Sequence, residues 1–258
     1  MQPALSDLEA IARRAGTILR DGYGQRHIIN HKGALDLVTE MDGRSEDLIL
    51  GAIRQSFPTH AILSEESGEL AGDGEHCWFI DPLDGTINYA HGMPFFSVSL
   101  AYAWRGETRL GVVYDPLREE CFSAEAGRGA FLNGQPIHVS STTALSDSLM
   151  VTGFPHDDGG GAPDNLINYG RFQSITQGVR RLGSAALDLV YVACGRLDGF
   201  WEVTIHAWDI AAGGLITREA GGLVTRMDGS PDYLTPPCSI LAANPRLHSL
   251  MLAILLES

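Results

Sequence analysis

Trp78-Phe79-Ile80-Asp81-Pro82-Leu83-Asp84-Gly85-Thr86 runs from an apolar strand, through a bend, into the start of a helix. The strand delivers Asp81 to its end, and Pro82 bends the chain so that Asp84 can turn back toward the same point. Between them the Leu83 carbonyl has no evident ladder partner. Two carboxylates and a carbonyl converging in this way suit a hard, oxygen-liking cation of the magnesium type. Gly85 and Thr86 open the helix-like segment, so their amides can face an anion such as phosphate. A D-P-x-D-G segment standing alone reads as a plain turn. The strand before it and the helix after it favour a site.

Working outward, Ala61-Ile62-Leu63 is a short apolar strand that leads into Ser64-Glu65-Glu66. Before it, Asp42 to Phe57 carries Leu48, Ile49, Ala52 and Ile53 on one helical face and is stopped by Pro58. Met1 to Tyr23 sets Leu5, Leu8, Ala12, Ala15 and Leu19 at helical spacing, with Arg13, Arg14 and Arg20 between them. That is an amphipathic surface helix, since a signal peptide has an unbroken apolar core. Downstream, strands over 96–103, 110–114 and 120–124 precede a turn-rich hairpin at Gly127–Gly134, whose glycines lack the spacing and following helix of a dinucleotide fingerprint. His156 to Asn165, with three consecutive glycines, reads as flexible. Beyond it Ser184 to Cys194 is helical in pattern, Asp198 to Val203 extended, and Asp209 to Ala220 helical again. The fold class is therefore α/β, with an α+β half at 1–145 that holds most candidate metal ligands. The other half, 146–258, is α/β in pattern and carries Asp209.

Composition sets limits on function. At 258 residues, 44% hydrophobic and 19% charged, the chain suits one large domain or two packed halves and is too apolar for disorder. No apolar run approaches the roughly 20 residues of a membrane helix. A cytoplasmic protein without a membrane partner is expected. The net charge of −14 argues against nucleic-acid binding. It leaves an anionic substrate open, because bound divalent cations reverse the local field. Cys77, Cys121, Cys194 and Cys238 are scattered and read as buried free thiols. The histidines lack zinc spacing, which again points to a hard metal. Lys32 is the single lysine among 18 basic residues, a place where a compact ammonium serves better than a planar guanidinium.

D-P-L-D-G-T at 81–86, with Trp78 and Ile80, resembles the first signature of the inositol monophosphatases and their lithium-sensitive relatives. Trp208-Asp209-Ile210-Ala211-Ala212-Gly213-Gly214, followed by Glu219-Ala220-Gly221-Gly222, resembles the second. The likeness runs from Lys32 to at least Val224 and takes in Asp36 to Thr39 with Asp42, Leu63 to Ser67, the 127–134 hairpin and Leu182 to Ala186. It implies a layered α-β-α-β-α sandwich, as in inositol monophosphatase and fructose-1,6-bisphosphatase, with the site between the two halves. It also implies a homodimer, inhibition by lithium, and two to three Mg2+ ions. One ion would be held by Glu65, Asp81 and the Leu83 carbonyl, and a second by Asp81, Asp84 and Asp209. A third, weaker one would lean on Glu65 and waters. Two close ions suit phosphoryl transfer, one activating the attacking water and the other stabilising the leaving oxygen. Asp42 and the Thr86 hydroxyl match the pair that orients and deprotonates that water, and Lys32 matches a position beside it. The amides of Gly85 and Thr86 match the phosphate cradle. Gly183, Ser184, Ala185 and Glu202 match positions that line substrate hydroxyls.

Each residue also has a plainer reading. Asp42 and Asp209 sit where helix caps belong, Glu65 and Glu66 could end a solvated strand, Glu202 could be an edge residue, and His91 and His206 pack beside the motifs. The metal motifs do not choose a substrate. Inositol monophosphate leads among small phosphorylated polyols and sugars, since no large insertion or extra Arg cluster beyond Arg180 and Arg181 marks a second phosphate site. Fructose 1,6-bisphosphate, histidinol phosphate and 3'(2'),5'-bisphosphate nucleotides are the alternatives within the fold. A non-catalytic interaction protein of RNA processing is the alternative outside it.

Overall fold

The computed structural model describes residues 1–31, 37–154 and 165–257, with the backbone alone for 29–31. Lys32 and Asp36 lie outside the described residues, and so does the segment from His156 except for Asn165.

The described chain forms five layers, α-β-α-β-α. The first layer holds α1 (Leu5–Gly22) and α2 (Glu40–Ser56), joined in the chain by the antiparallel ribbon β1 (Ile29–His31) and β2 (Leu37–Thr39). The second is an eight-stranded sheet of β3 (Ala61–Ser64), β4 (Gly68–Leu70), β5 (His76–Asp84), β6 (Ser97–Trp104), β7 (Glu107–Asp115), β8 (Glu120–Glu125), β9 (Ala130–Leu132) and β10 (Gln135–Ile137). Its order is β10-β9-β8-β7-β6-β5-β3-β4, and only β3 and β5 run parallel. The short α3 (Thr86–Ala90) leaves the end of β5.

The second sheet runs β12-β11-β13-β15-β14, from β11 (Leu149–Thr152), β12 (Gly178–Arg180), β13 (Gly199–Ile205), β14 (Leu223–Thr225) and β15 (Cys238–Ala243). Helices α5 (Ala185–Ala193) and α6 (Ala207–Glu219) lie between the two sheets, while α4 (Leu166–Ile175) and α7 (Pro245–Leu256) cover the outer face. A helix squeezed between two sheets must be apolar all round. Ile210 through Thr217 of α6 are accordingly buried without a break.

Period-two alternation along β5 decides which way each side chain points. Trp78 and Ile80 join the core under α1 and α2, with Leu8, Ile49 and Ile53. Phe79 faces the opposite side and packs into both cores around α5 and α6. Asp81 shares the face of Phe79, so the strand aims it toward the helix that begins near Asp209.

Two boundaries differ from the sequence reading. The second helix starts at Glu40 because Thr39 caps it: its hydroxyl accepts the Met41 N–H at 3.1 Å, and Asp42 accepts the Thr39 N–H at 2.9 Å. That reciprocal pair is a capping box, with Asp42 at its third position. The strand expected to end at Asp81-Pro82 continues to Asp84, since a bulge between Asp81 and Asp84 absorbs Pro82 without breaking the pairing to β6. All four cysteines are free, with Cys121 and Cys238 buried. Among the described residues no helix is long and apolar enough to cross a membrane.

Candidate active site

The bulge that ends β5 is pinned from three sides. Asp81, almost wholly buried, accepts the Leu83 N–H at 3.0 Å, which closes a tight loop around Pro82. Ser45 of α2 donates its hydroxyl to the Pro82 carbonyl at 2.7 Å. The Thr86 hydroxyl lies 3.0 Å from the Leu83 carbonyl and 2.8 Å from Asp42 Oδ1. A hydroxyl has one proton to give, so Thr86 chooses between the two. The Leu83 carbonyl, expected to be unpartnered, therefore has Thr86 beside it. Asp42 is both a helix-capping residue and a neighbour of the site, because its second oxygen takes the Thr39 N–H and hydroxyl while the first faces Thr86.

Glu65 follows β3, the strand parallel to β5, and its N–H donates to the Ile80 carbonyl at 3.1 Å. The turn that carries it is held by Glu46, a buried carboxylate of α2 that the sequence reading missed. Glu46 accepts the Ser64 hydroxyl in a short bond, the Ser67 N–H at 3.0 Å and the Ser67 hydroxyl at 2.7 Å. Asp209 stands in the first turn of α6, half-buried. It is the third helical residue and not the cap itself, and it accepts the His206 N–H at 2.9 Å.

Asp84 reaches across to the second half of the chain. Its carboxylate accepts the Ala185 N–H at 3.1 Å, the Ala186 N–H at 2.9 Å, the Ser97 hydroxyl at 3.3 Å and the Ser184 hydroxyl in a short bond. Helix α5 thus has its first amides closed by an acid from another sheet. This differs from the expected display of Ser184 and Ala185 toward a substrate, because in this structure their donors are spent on Asp84. Gly85 and Gly183 bring the two segments together. At Gly85 φ is 95°, and a Cβ there would lie 3.1 Å from both the Gly183 and the Phe95 carbonyl oxygens. Only glycine takes that conformation at so close an approach.

The electrostatics bind these groups into one cluster. Burial pushes the Asp81 and Asp209 carboxyls well above the usual range, and the charges of Glu65 and Asp84 push them the same way. Asp84 is pushed up to about 6, by burial first, against the bonds from Ser184, Ala186 and Ala185. Glu202 on β13 is pushed up to about 8 by burial and then by Asp84, with Arg181 opposing. Asp42 is raised by burial, which outweighs its bonds to Thr39 and Thr86. Asp188 of α5, not anticipated from sequence, is buried beside Asp84 and Glu202 and is raised by burial. Carboxylates crowded in low dielectric, with only oxygen donors among them, fit a hard divalent cation.

A second group offers ligand atoms all within 4.8 Å of one another: His60, Asp73 and His76. It lies at the opposite end of β5 from Asp81, roughly 17 Å away at ~3.3 Å per residue. Its geometry opposes a shared ion. The Trp78 indole N–H donates to His60 Nδ1 at 3.1 Å, so the neutral ring carries its proton on Nε2. The His60 and His76 rings also stack at 4.1 Å and 12°, and an ion must lie in the plane of each ring that binds it. His206 and His91 are both exposed, and His206 stacks on Trp208 at 4.5 Å.

The family model described as the inositol monophosphatase family matches residues 1–258. The chain is similar to a protein of Pseudomonas aeruginosa named Nus factor SuhB, at 45% identity over 98% of this chain and 95% of that one. It is 48% identical to the inositol-1-monophosphatase of a Synechocystis species, over 91% of this chain and 82% of the other. The solved inositol monophosphatase of Anabaena superposes with a TM-score of 0.88 at 43% identity, covering 98% and 95% of the two chains.

Proposed function

Because the chain belongs to the inositol monophosphatase family, we propose that it hydrolyses the phosphate monoester of a small polyol, with inositol monophosphate the first candidate. The observation that carries this reading is the bulged end of β5. It gathers Asp81, the Leu83 carbonyl and Asp84 into the same electrostatic cluster as Glu65 and Asp209. Magnesium is the ion the donor set fits. Glu65, Asp81 and the Leu83 carbonyl would hold one ion, and Asp81, Asp84 and Asp209 a second. Asp84 would meet the ion through Oδ1, which takes the Ala185 N–H, while Oδ2 takes the Ala186 N–H and the Ser97 and Ser184 hydroxyls. Bound there, the ions supply an activated water and charge stabilisation.

The chain's own groups do the rest. Asp42 and Thr86, already 2.8 Å apart, orient the water and take its proton. The amides of Gly85 and Thr86 receive the phosphate, and Gly183 and Glu202 border the polyol, with Ser184 and Ala185 beside them giving their donors to Asp84. Lys32 completes this reading. The same reading carries lithium inhibition, a cytoplasmic location and a homodimer.

Purified protein should release phosphate from inositol monophosphate with magnesium and lose that activity with chelator. A panel with fructose 1,6-bisphosphate, histidinol phosphate and a 3'(2'),5'-bisphosphate nucleotide ranks the alternatives. The name Nus factor carried by the Pseudomonas relative favours a second reading, a partner in RNA processing. Absence of phosphate release from every ester of the panel selects it.

A further inference from the structure

Asn88, in the middle of α3, joins the two segments that the phosphatase reading assigns to different parts of a substrate. Its side-chain nitrogen donates to the Phe95 carbonyl at 2.8 Å and to the Leu182 carbonyl at 2.8 Å, with the Gly183 carbonyl at 3.3 Å sharing the second proton. All three neighbours are acceptors, which fixes the orientation of the amide. The residue is only 7% exposed. It grips the chain just before Ser184, the N-cap of α5. Around it the packing leaves no slack. A Cβ at Gly183 would lie 3.1 Å from the Asn88 nitrogen, and a Cβ at Gly85 would lie 3.1 Å from the Gly183 oxygen.

The clasp therefore sets the separation between the Gly85–Thr86 turn and the Leu182–Ala185 turn. We propose that Asn88 is a positioning residue that fixes the polyol-facing turn at the distance from the phosphate turn that a cyclic or short polyol monophosphate requires. This rests on the phosphatase reading above. Asn88 need not touch the substrate. Its effect passes through the Leu182 and Gly183 carbonyls. A misplacement of about 1 Å in such a frame costs on the order of 100-fold where the displaced group matters, and little where it does not.

The test compares two esters in wild type and Asn88→Ala. Inositol monophosphate offers hydroxyls to the 182–185 turn, whereas p-nitrophenyl phosphate offers the phosphate alone. Asn88→Ala should lower kcat/KM for inositol monophosphate by about tenfold or more, chiefly through KM. The value for p-nitrophenyl phosphate at saturating magnesium should change less than about threefold. Should Asn88→Ala not fold, Asn88→Gln is read in the same way, as it keeps the amide but shifts it by one methylene. An equal fall on both esters makes Asn88 a support of the fold alone and overturns the inference, as does no change on either. A wild type that releases phosphate from neither ester overturns the phosphatase reading first and this inference with it.

Discussion

Asp81 sits where water does not reach it, within a turn fastened by its own bond to the Leu83 N–H and by Ser45 on the Pro82 carbonyl. A carboxylate so buried is costly unless a cation or proton compensates it. Asp81→Asn keeps the shape, and its side-chain oxygen can still accept the Leu83 N–H. What it removes is charge. Loss of charge stabilisation from bound metal is worth several kcal/mol, and each ~1.4 kcal/mol is a factor of ten. Turnover should fall at least ~100-fold, with the fold retained by circular dichroism. Near-normal turnover in the folded variant would remove Asp81 from the metal assignment.

Asp81, Asp84 and Asp209 were legible because each stands in a local pattern that the sequence spells out. Glu46 and Ser45 were not. Their partners lie 18 to 37 residues away, and nothing in a helical stretch of mixed polarity marks which Glu or Ser turns inward.

At the scale of elements, α5 begins on a borrowed acid. Ser184 gives its hydroxyl proton to Asp84 and accepts the Leu187 N–H at 3.4 Å, so one oxygen serves the helix cap and the cross-sheet clasp. Removing a cap costs ~1 kcal/mol, and a hydrogen bond to a charged group about 1.5–3 kcal/mol. Ser184→Ala should lower the melting temperature measured in chelator by several degrees, at ~2–4 °C per kcal/mol for a chain of this size. It should also weaken magnesium binding near pH 6, because loss of the donated bond lets the Asp84 carboxyl hold its proton more tightly. An unchanged melting curve would mean the clasp contributes nothing to α5. Of the long elements, α2 could be read from its one apolar face, and β5, α5 and α6 from apolar stretches bounded by cap or turn residues. Among the three-residue strands, β9 could be read only as part of the 127–134 hairpin, and β1, β2, β4, β10, β12 and β14 could not be read, since a window that short has no period to detect. Their pairing is decided by neighbours far along the chain, as when β14 adds to the edge of β15.

For the whole molecule, the carboxylate cluster couples folding to protons and, under the proposed reading, to metal. Asp84 is raised to about 6 and Glu202 to about 8 in the folded chain, whereas both titrate near the ordinary carboxylate range when unfolded. The folded state then binds more protons than the unfolded state between those limits. Its stability must fall as pH rises. The contribution is complete below about pH 4, and it is lost as pH climbs through about 6 for Asp84 and about 8 for Glu202. Under the proposed reading, magnesium should act in the opposite sense. It binds deprotonated carboxylates and removes a repulsion worth ~4 kcal/mol for two like charges ~4 Å apart at an effective dielectric of 20. Binding to the folded state alone should add ~2.7 kcal/mol at a hundred times the dissociation constant. Melting curves in chelator should therefore fall between about pH 5 and about pH 8, while the gain from millimolar magnesium grows over the same interval. Asp84→Asn should show a smaller gain at every pH. A chelator curve that rises with pH contradicts the raised carboxyls. A magnesium gain equal in wild type and Asp84→Asn means that Asp84 and the other carboxylates do not share one cation site.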